Sequence, residues 1–525
     1  MPFNPPPAPR PRRRGRLAVG VLVTALFGQL LGGTSVAAPS PGSAAPGHLA
    51  WQPCESPYGE GTFECTTLEV PVDWQEPDGA TVDLALARHR ATDPERRIGS
   101  LLINPGGPGG SGVSFAFGAP FSFSPALLER FDIVGFDPRG VGLSDPVRCD
   151  EELIAAQDSL LYPDSAASFT ALRRANRALG ENCRAVSGSL VDHMDTASVV
   201  RDMEAIRTGL GEERISYYGV SYGTGIGQQY AERYPDHVRA MTLDSTMDHS
   251  LDAWSLQKTR AVAREETFGQ FADWCARTPS CVLHDRDVRA LFDSLYRRAA
   301  AGELVLDGDY VFPVEHLQSL SLNFLYTPAD WFRFAEFLVD LNAPDPTVAR
   351  SAGLLGEPAE FAYYPVLCQD YDLDVPSYAT LAAYQRRLAR LAPVARFSTL
   401  SWTDLTGCQD WPTEVTNPQR RLKVDGTPPI LITNSRYDVA TPYAWASGAA
   451  RQIGREAVLL TYDGAGHGAY WQSPCTRDAV DTYLITLETP RDGTHCPAVW
   501  PTEASARLQS SPDGVSAGPP WSRRR

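Results

Sequence analysis

The chain has 525 residues, 43% hydrophobic and 21% charged, a balance that excludes a disordered or fibrous protein. That length is more than one ordinary core organises, so one large domain carrying an insertion, or a second domain, is expected. The formal net charge of −16 repels nucleic acid and anionic membrane faces, so no nucleic-acid partner is expected.

The N-terminus departs from this acidic character. Arg10, Arg12, Arg13, Arg14 and Arg16 precede an apolar run over 17–31, and Ser35-Val36-Ala37 fits the small-x-small pattern for signal peptidase. Residues 1–37 therefore read as a signal peptide cleaved near Ala37. A single membrane anchor is the competing reading, but the run is short and broken by Gly20, Gly28 and Gln29, so no stable anchor is expected after cleavage. Arg13-Arg14 also suits a twin-arginine export route. Residues 38–49, rich in Ala, Pro, Ser and Gly, read as a flexible leader.

A secreted, extracellular location makes sense of ten cysteines as disulfides. Their order suggests that neighbours pair: Cys54–Cys65, Cys149–Cys183, Cys275–Cys281, Cys368–Cys408 and Cys475–Cys496. Metal binding is the rival, but neither a C-x-x-C pair nor an H-E-x-x-H motif occurs.

Alternating segments around residues 68–72 and 82–86, joined through Pro77-Asp78-Gly79, predict a hairpin. Short apolar runs at 101–104 and 131–137 predict buried strands. Asp195-Thr196 caps a predicted helix whose apolar positions are Val199, Met203, Ile206 and Leu210, and Gly211 stops it. A strand over 215–218, a sharp turn, a helix ending before Pro235 and a strand over 238–244 follow. Such alternation argues for a mostly parallel sheet covered on both faces. It is absent from about 248 to 417, where aromatics and helical periods dominate, and resumes at 429–434 and 457–462. The expected layout is an α/β domain in two parts, 50–247 and 418–503, with a mainly helical lid inserted at 248–417. Residues 504–525 read as a disordered tail.

Gly219-Val220-Ser221-Tyr222-Gly223 is a G-x-S-x-G pentapeptide between a predicted strand and a predicted helix, the context a nucleophile elbow needs. A serine hydroxyl needs a base, and the base needs an orienting acid. Asp438 follows the predicted strand at 429–434, and His467 lies in a glycine-flanked loop after the next one. Both fall on the same sheet edge as Ser221, in the order serine, acid, histidine that an α/β-hydrolase fold requires. His495 and Asp463 are the rival histidine and acid. The first sits in a cysteine-tied tail, and the second is placed to shape the His467 loop. The glycine-rich run from Asn104 to Gly112 allows close backbone approach to an oxyanion, and the hole is assigned to the backbone N–H groups of Gly107 and Tyr222. Gly107-x-Gly109-x-x-Gly112 formally matches a dinucleotide fingerprint, but Pro108 fits it poorly and a cofactor would leave the Ser/Asp/His order unexplained. No cofactor is expected. Asp137-Pro138-Arg139-Gly140-Val141-Gly142 is expected to be structural, with a charged pair fixing the loop.

Asn-Pro-Gly-Gly-Pro-Gly at 104–109, Asp-Pro-Arg-Gly-Val-Gly-Leu-Ser at 137–144, Gly-Val-Ser-Tyr-Gly-Thr at 219–224, Asp438-x-x-Thr441-Pro442 and Gly464-x-Gly466-His467-Gly468 together resemble the secreted tripeptidyl aminopeptidases and the related proline iminopeptidases. The resemblance spans roughly residues 50–500 and is weakest in the lid. Pro105 stands where proline iminopeptidases usually carry histidine, which moves the match toward the tripeptidyl branch. It implies a serine exopeptidase acting on peptides with free N-termini. Such an enzyme must recognise the α-ammonium, and Asp370, beside Cys368, and Asp410, after Cys408, are the lid acids expected to do so. Two other readings share the residues: an esterase or small-molecule hydrolase using the same triad, and a binding protein that has kept the fold without the chemistry.

Overall fold

The computed structural model describes residues 49–59, 61–306, 310–343, 346 and 361–503. The expected signal peptide, the expected leader up to residue 48 and the expected tail from 504 lie outside the described residues. Ten strands form one sheet in the order β1-β2-β3-β5-β4-β6-β7-β10-β11-β12. They are β1 (Gln52–Cys54), β2 (Phe63–Pro71), β3 (Thr81–His89), β4 (Gly99–Asn104), β5 (Phe131–Phe136), β6 (Ile215–Val220), β7 (Val238–Asp244), β10 (Ile430–Tyr437), β11 (Ala457–Ala465) and β12 (Thr494–Cys496). The pair β8 (Val305–Leu306) and β9 (Tyr310–Val311) forms a separate antiparallel hairpin.

β2 and β3 pair antiparallel in the predicted hairpin, from Phe63 opposite His89 to Pro71 opposite Thr81. β3 joins β5 antiparallel, and from β5 to β12 every neighbouring pair is parallel. Every residue of β4, β5 and β6 is buried, as expected for strands covered on both faces. Successive side chains feed opposite cores. Leu101, Ile103, Tyr218 and Leu431 pack into one, and Leu102, Tyr217, Met241 and Ile432 into the other. The predicted helix is Thr196–Gly209, and the Asp195 side chain accepts the Ser198 N–H at 2.9 Å.

Arg139 is the charged member that fixes the loop after β5. Its partner is Asp202 on that helix, at 2.6 Å with both side chains fully buried, and its remaining donors reach the carbonyls of Pro71, Val72 and His193. Asp137 instead accepts from the Ser111 hydroxyl and the Val113 and Leu143 N–H groups, which folds the glycine-rich loop onto the end of β5.

Between β7 and β10 the described chain is helical apart from the small hairpin. Helices Ala253–Arg277, Val288–Ala300, Val314–Leu325 and Trp331–Leu341 share an aromatic core of Phe268, Phe271, Trp274, Phe292, Trp331 and Phe334. Helices Tyr363–Asp370, Tyr378–Leu391 and Thr399–Gly407 complete the insertion. The cysteines form five bridges: Cys54–Cys65, Cys149–Cys183, Cys275–Cys281, Cys368–Cys408 and Cys475–Cys496. Such a set belongs to an oxidising compartment. No helix among the described residues is long and apolar enough to cross a membrane.

Candidate active site

Four adjacent parallel strands, β6, β7, β10 and β11, end on one edge of the sheet. Ser221 is the residue after β6 and sits at φ 57°, ψ −125°, a left-handed turn into the helix Tyr222–Arg233. An L-residue rarely adopts this conformation without cost, and it is the one that nucleophile elbows use to raise a hydroxyl above the strand ends. The Ser221 N–H donates to the Asp244 carbonyl at 3.0 Å, tying the turn to the end of β7. The glycine at 223 is dictated by packing, because a Cβ there would lie 2.8 Å from the Asn104 carbonyl oxygen.

Asp438 follows β10 directly and is fully buried. Its Oδ1 accepts the N–H groups of Ala440 and Thr441 at 2.9 Å each, and its Oδ2 accepts the Thr441 hydroxyl at 3.0 Å. His467 Nδ1 lies 3.0 and 2.9 Å from the two carboxylate oxygens. Burial pushes the Asp438 carboxyl up, but the facing imidazole, the Thr441 N–H and the Ser245 hydroxyl outweigh it and hold the group below the ordinary carboxylate range. The imidazole is held from the other side as well. Its backbone N–H donates to the Tyr326 carbonyl of the insertion at 2.8 Å, and the Tyr326 ring lies edge-on at 5.4 Å.

Asp244, the last residue of β7, and Ser245, which follows it, were not singled out in the sequence. Ser245, at φ 57°, accepts the Gly468 N–H at 2.7 Å. The Asp244 carboxylate takes the N–H groups of Ala469 and Tyr470 at 2.8 and 3.0 Å and the Tyr218 hydroxyl at 2.7 Å. Together they clamp the loop that carries His467. The signal was present, because Asp244-Ser245 closes a predicted strand on the same edge.

The glycine-rich loop reaches the elbow because residue 106 has no side chain. A Cβ there would stand 2.7 Å from the Tyr222 nitrogen and 2.5 Å from the Val220 carbonyl oxygen. Gly107, Pro108 and Tyr222 line a small cavity together with Arg260, Tyr363 and Asp404, which come from between β7 and β10.

The rival residues are accounted for elsewhere. His495 lies in β12 and its Nδ1 is 2.8 Å from Asp463, an exposed pair at the far side of the sheet edge from Ser221.

The two acids expected to hold an ammonium, Asp370 and Asp410, both have protein partners. Asp370 is completely buried, and four protein donors already occupy its oxygens: the Thr196 N–H at 2.9 Å, the Thr196 hydroxyl at 2.5 Å, the Asn417 amide at 2.7 Å and the Tyr222 hydroxyl. It braces the residue after Ser221 through the Tyr222 hydroxyl and does not line the cavity beside that residue. Burial, the largest influence, pushes its carboxyl up against the pull of His249 and these donors. Asp410 lies on the outside, where Arg177 and Arg173 neutralise it at 2.8 and 3.4 Å. Among the described residues no group of three or more His, Cys, Asp and Glu side chains is placed to hold a metal ion.

The sheet order, the strained serine turn and the buried histidine–aspartate pair at adjacent strand ends define the protein as an α/β-hydrolase. Residues 392–496, which include Asp438 and His467, match the family described as TAP-like protein. The tripeptidyl aminopeptidase of Streptomyces lividans is 34% identical over 485 residues, 87% of this chain and 88% of that one. The serine protease Hip1 of Mycobacterium tuberculosis is 30% identical over 85% of this chain and 91% of its own length. A Mycobacterium tuberculosis protein named carboxylesterase B is 33% identical over 90% and 96%. The chain belongs to the tripeptidyl aminopeptidase-like family of α/β-hydrolases.

Proposed function

We propose that the protein is a secreted serine exopeptidase that removes short peptides, tripeptides above all, from free N-termini through an acyl-enzyme on Ser221. The observation that carries this reading is the His467 Nδ1 contact with the buried Asp438 carboxylate at 2.9 Å, on the strand edge where Ser221 holds its strained turn. The named activity of the Streptomyces lividans relative gives it a substrate. The five disulfides support a location outside the cytoplasm.

In this mechanism His467 Nε2 takes the Ser221 proton as Oγ attacks the scissile carbonyl, and a C–O bond forms as the carbonyl π-bond opens to an oxyanion. The N–H groups of Gly107 and Tyr222 receive that oxyanion. The imidazolium returns its proton to the leaving amine nitrogen as the C–N bond breaks, leaving a Ser221 ester. Water, deprotonated by His467, hydrolyses the ester and releases the peptide acid. Asp438 holds the Nδ1–H tautomer and stabilises the cation. The helical insertion acts as a lid, through Tyr326 against His467.

A second reading, an esterase with the same triad, is favoured by the carboxylesterase B relative. A fluorogenic panel of Xaa-, Xaa-Pro- and Ala-Ala-Xaa-amides, each with free and acetylated N-termini, separates the two, with Ser221→Ala as control. Cleavage of the free tripeptide amide alone, abolished in the variant, is the expected result. Ester hydrolysis with no amide cleavage would replace the reading with the second.

A further inference from the structure

This inference rests on the exopeptidase reading and supplies the group that reading lacks once Asp370 and Asp410 are spent on other partners. An enzyme that cuts only behind a free N-terminus has to hold an α-ammonium at a fixed reach from the scissile bond. A desolvated carboxylate facing the substrate cavity is the side chain that does this.

Asp404 is the only carboxylate among the described residues that line the cavity beside Gly107 and Tyr222. It lies in the helix Thr399–Gly407, buried. One oxygen accepts from Arg260 Nη1, and the other accepts the Tyr363 hydroxyl at 2.5 Å. A carboxylate offers about four lone-pair sites, so these two partners leave acceptor capacity on both oxygens.

Arg260 fixes where the acid stands. Its Nε donates to the Ala440 carbonyl at 2.8 Å, two residues beyond Asp438, and its guanidinium lies over the Trp445 ring at 4.8 Å. A single side chain thus spans from the loop of the triad acid to Asp404. A buried ion pair is a poor source of stability, since packed apolar side chains in its place often do as well or better. Its position on a cavity wall calls for a ligand. The free space there is about 20 Å³, enough for one water- or ammonium-sized group.

We propose that Asp404 receives the α-ammonium of the peptide substrate, with Arg260 and Tyr363 as the positioning residues that aim it. The pair then acts as the ruler of the enzyme: the distance from Asp404 to Ser221 sets how many residues are removed.

The test compares Ala-Ala-Xaa-amide with a free and with an acetylated N-terminus, using the full secreted chain and its Asp404→Asn and Asp404→Glu variants. Labelling of Ser221 by an active-site phosphonate reports that each variant is folded. Asp404→Asn is expected to lower the free-to-acetylated selectivity about 100-fold, mainly through KM. Asp404→Glu is expected to recover part of it. Unchanged selectivity in labelled Asp404→Asn overturns the proposal. Should that variant fail to label, Tyr363→Phe decides, because it keeps the ion pair and removes one hydrogen bond. A rise of about 5-fold in KM for the free peptide alone supports the assignment, at the magnitude of one hydrogen bond, and no rise overturns it. A wild-type protein that labels but cleaves no amide fails the exopeptidase reading itself, a different outcome from either.

Discussion

On the sheet side of the site, each residue of the proposed triad sits within two positions of a strand end. Ser221 follows β6, Asp438 follows β10, and His467 comes two residues after β11. On the insertion side, the polar residues come from within helices and find partners far along the chain, as Arg260 finds Asp404 across 144 residues and Asp370 finds Thr196 across 174. Backbone topology places the first set, so a short motif beside a strand is enough to locate it. Packing alone places the second set, and letters close to a cysteine say little about which way an acid faces. Two buried arginines show the same contrast. Arg139, under the sheet, has the Asp202 carboxylate, whereas Arg264, in the insertion, is held by the carbonyls of Phe397 and Gln318 and the Ser321 hydroxyl, and burial pushes its guanidinium down to about 9.

The comparison breaks most visibly at Asp438, the proposed triad acid. Asp438→Asn is expected to cut kcat by about 10⁴-fold with the fold retained, because the amide favours the wrong imidazole tautomer. A loss under tenfold, measured with the free tripeptide amide, would move the acid elsewhere. Next in size, Arg139→Ala leaves the Asp202 carboxylate buried and unpaired. A stability loss of about 3–5 kcal/mol is expected in denaturant titration, with kcat per folded molecule kept. The insertion gives a smaller figure when its staple is cut. Paired Cys368→Ser and Cys408→Ser changes are expected to cost about 3–4 kcal/mol by the chain-entropy account of a 40-residue separation.

Asp370→Asn sharpens the contrast with Asp404. It disturbs the hydrogen bond to Tyr222 beside Ser221, so kcat is expected to fall about 10-fold, the scale of one lost hydrogen bond to a charged group. The free-to-acetylated selectivity stays as in the wild type. A shift in that selectivity would return Asp370 to the role of amine ligand and displace Asp404.

How far the sequence could be read follows the same divide. The hairpin of β2 and β3, the buried strands β4 to β7 and the helix capped by Asp195 were legible because local periodicity and caps specify them. β12 was not, since three residues at a sheet edge carry no periodic signal. Asp404 sits in Trp402-Thr403-Asp404-Leu405-Thr406, mid-helix and without a motif, and only the arrival of Arg260 and Tyr363 marks it. Asp370 stood out beside Cys368 because sequence shows an acid near a bridge and hides the four donors that fill it.

The turn at Ser221 carries a consequence of another kind. A glycine adopts φ 57°, ψ −125° with less strain, and the relief, set against the added freedom of the unfolded chain, makes Ser221→Gly stabilising by up to about 1 kcal/mol. Heat resistance and catalysis therefore pull this one position in opposite directions. A library of variants screened for thermal survival alone would reward the loss of the proposed nucleophile, so any effort to harden this enzyme has to select for turnover in the same round.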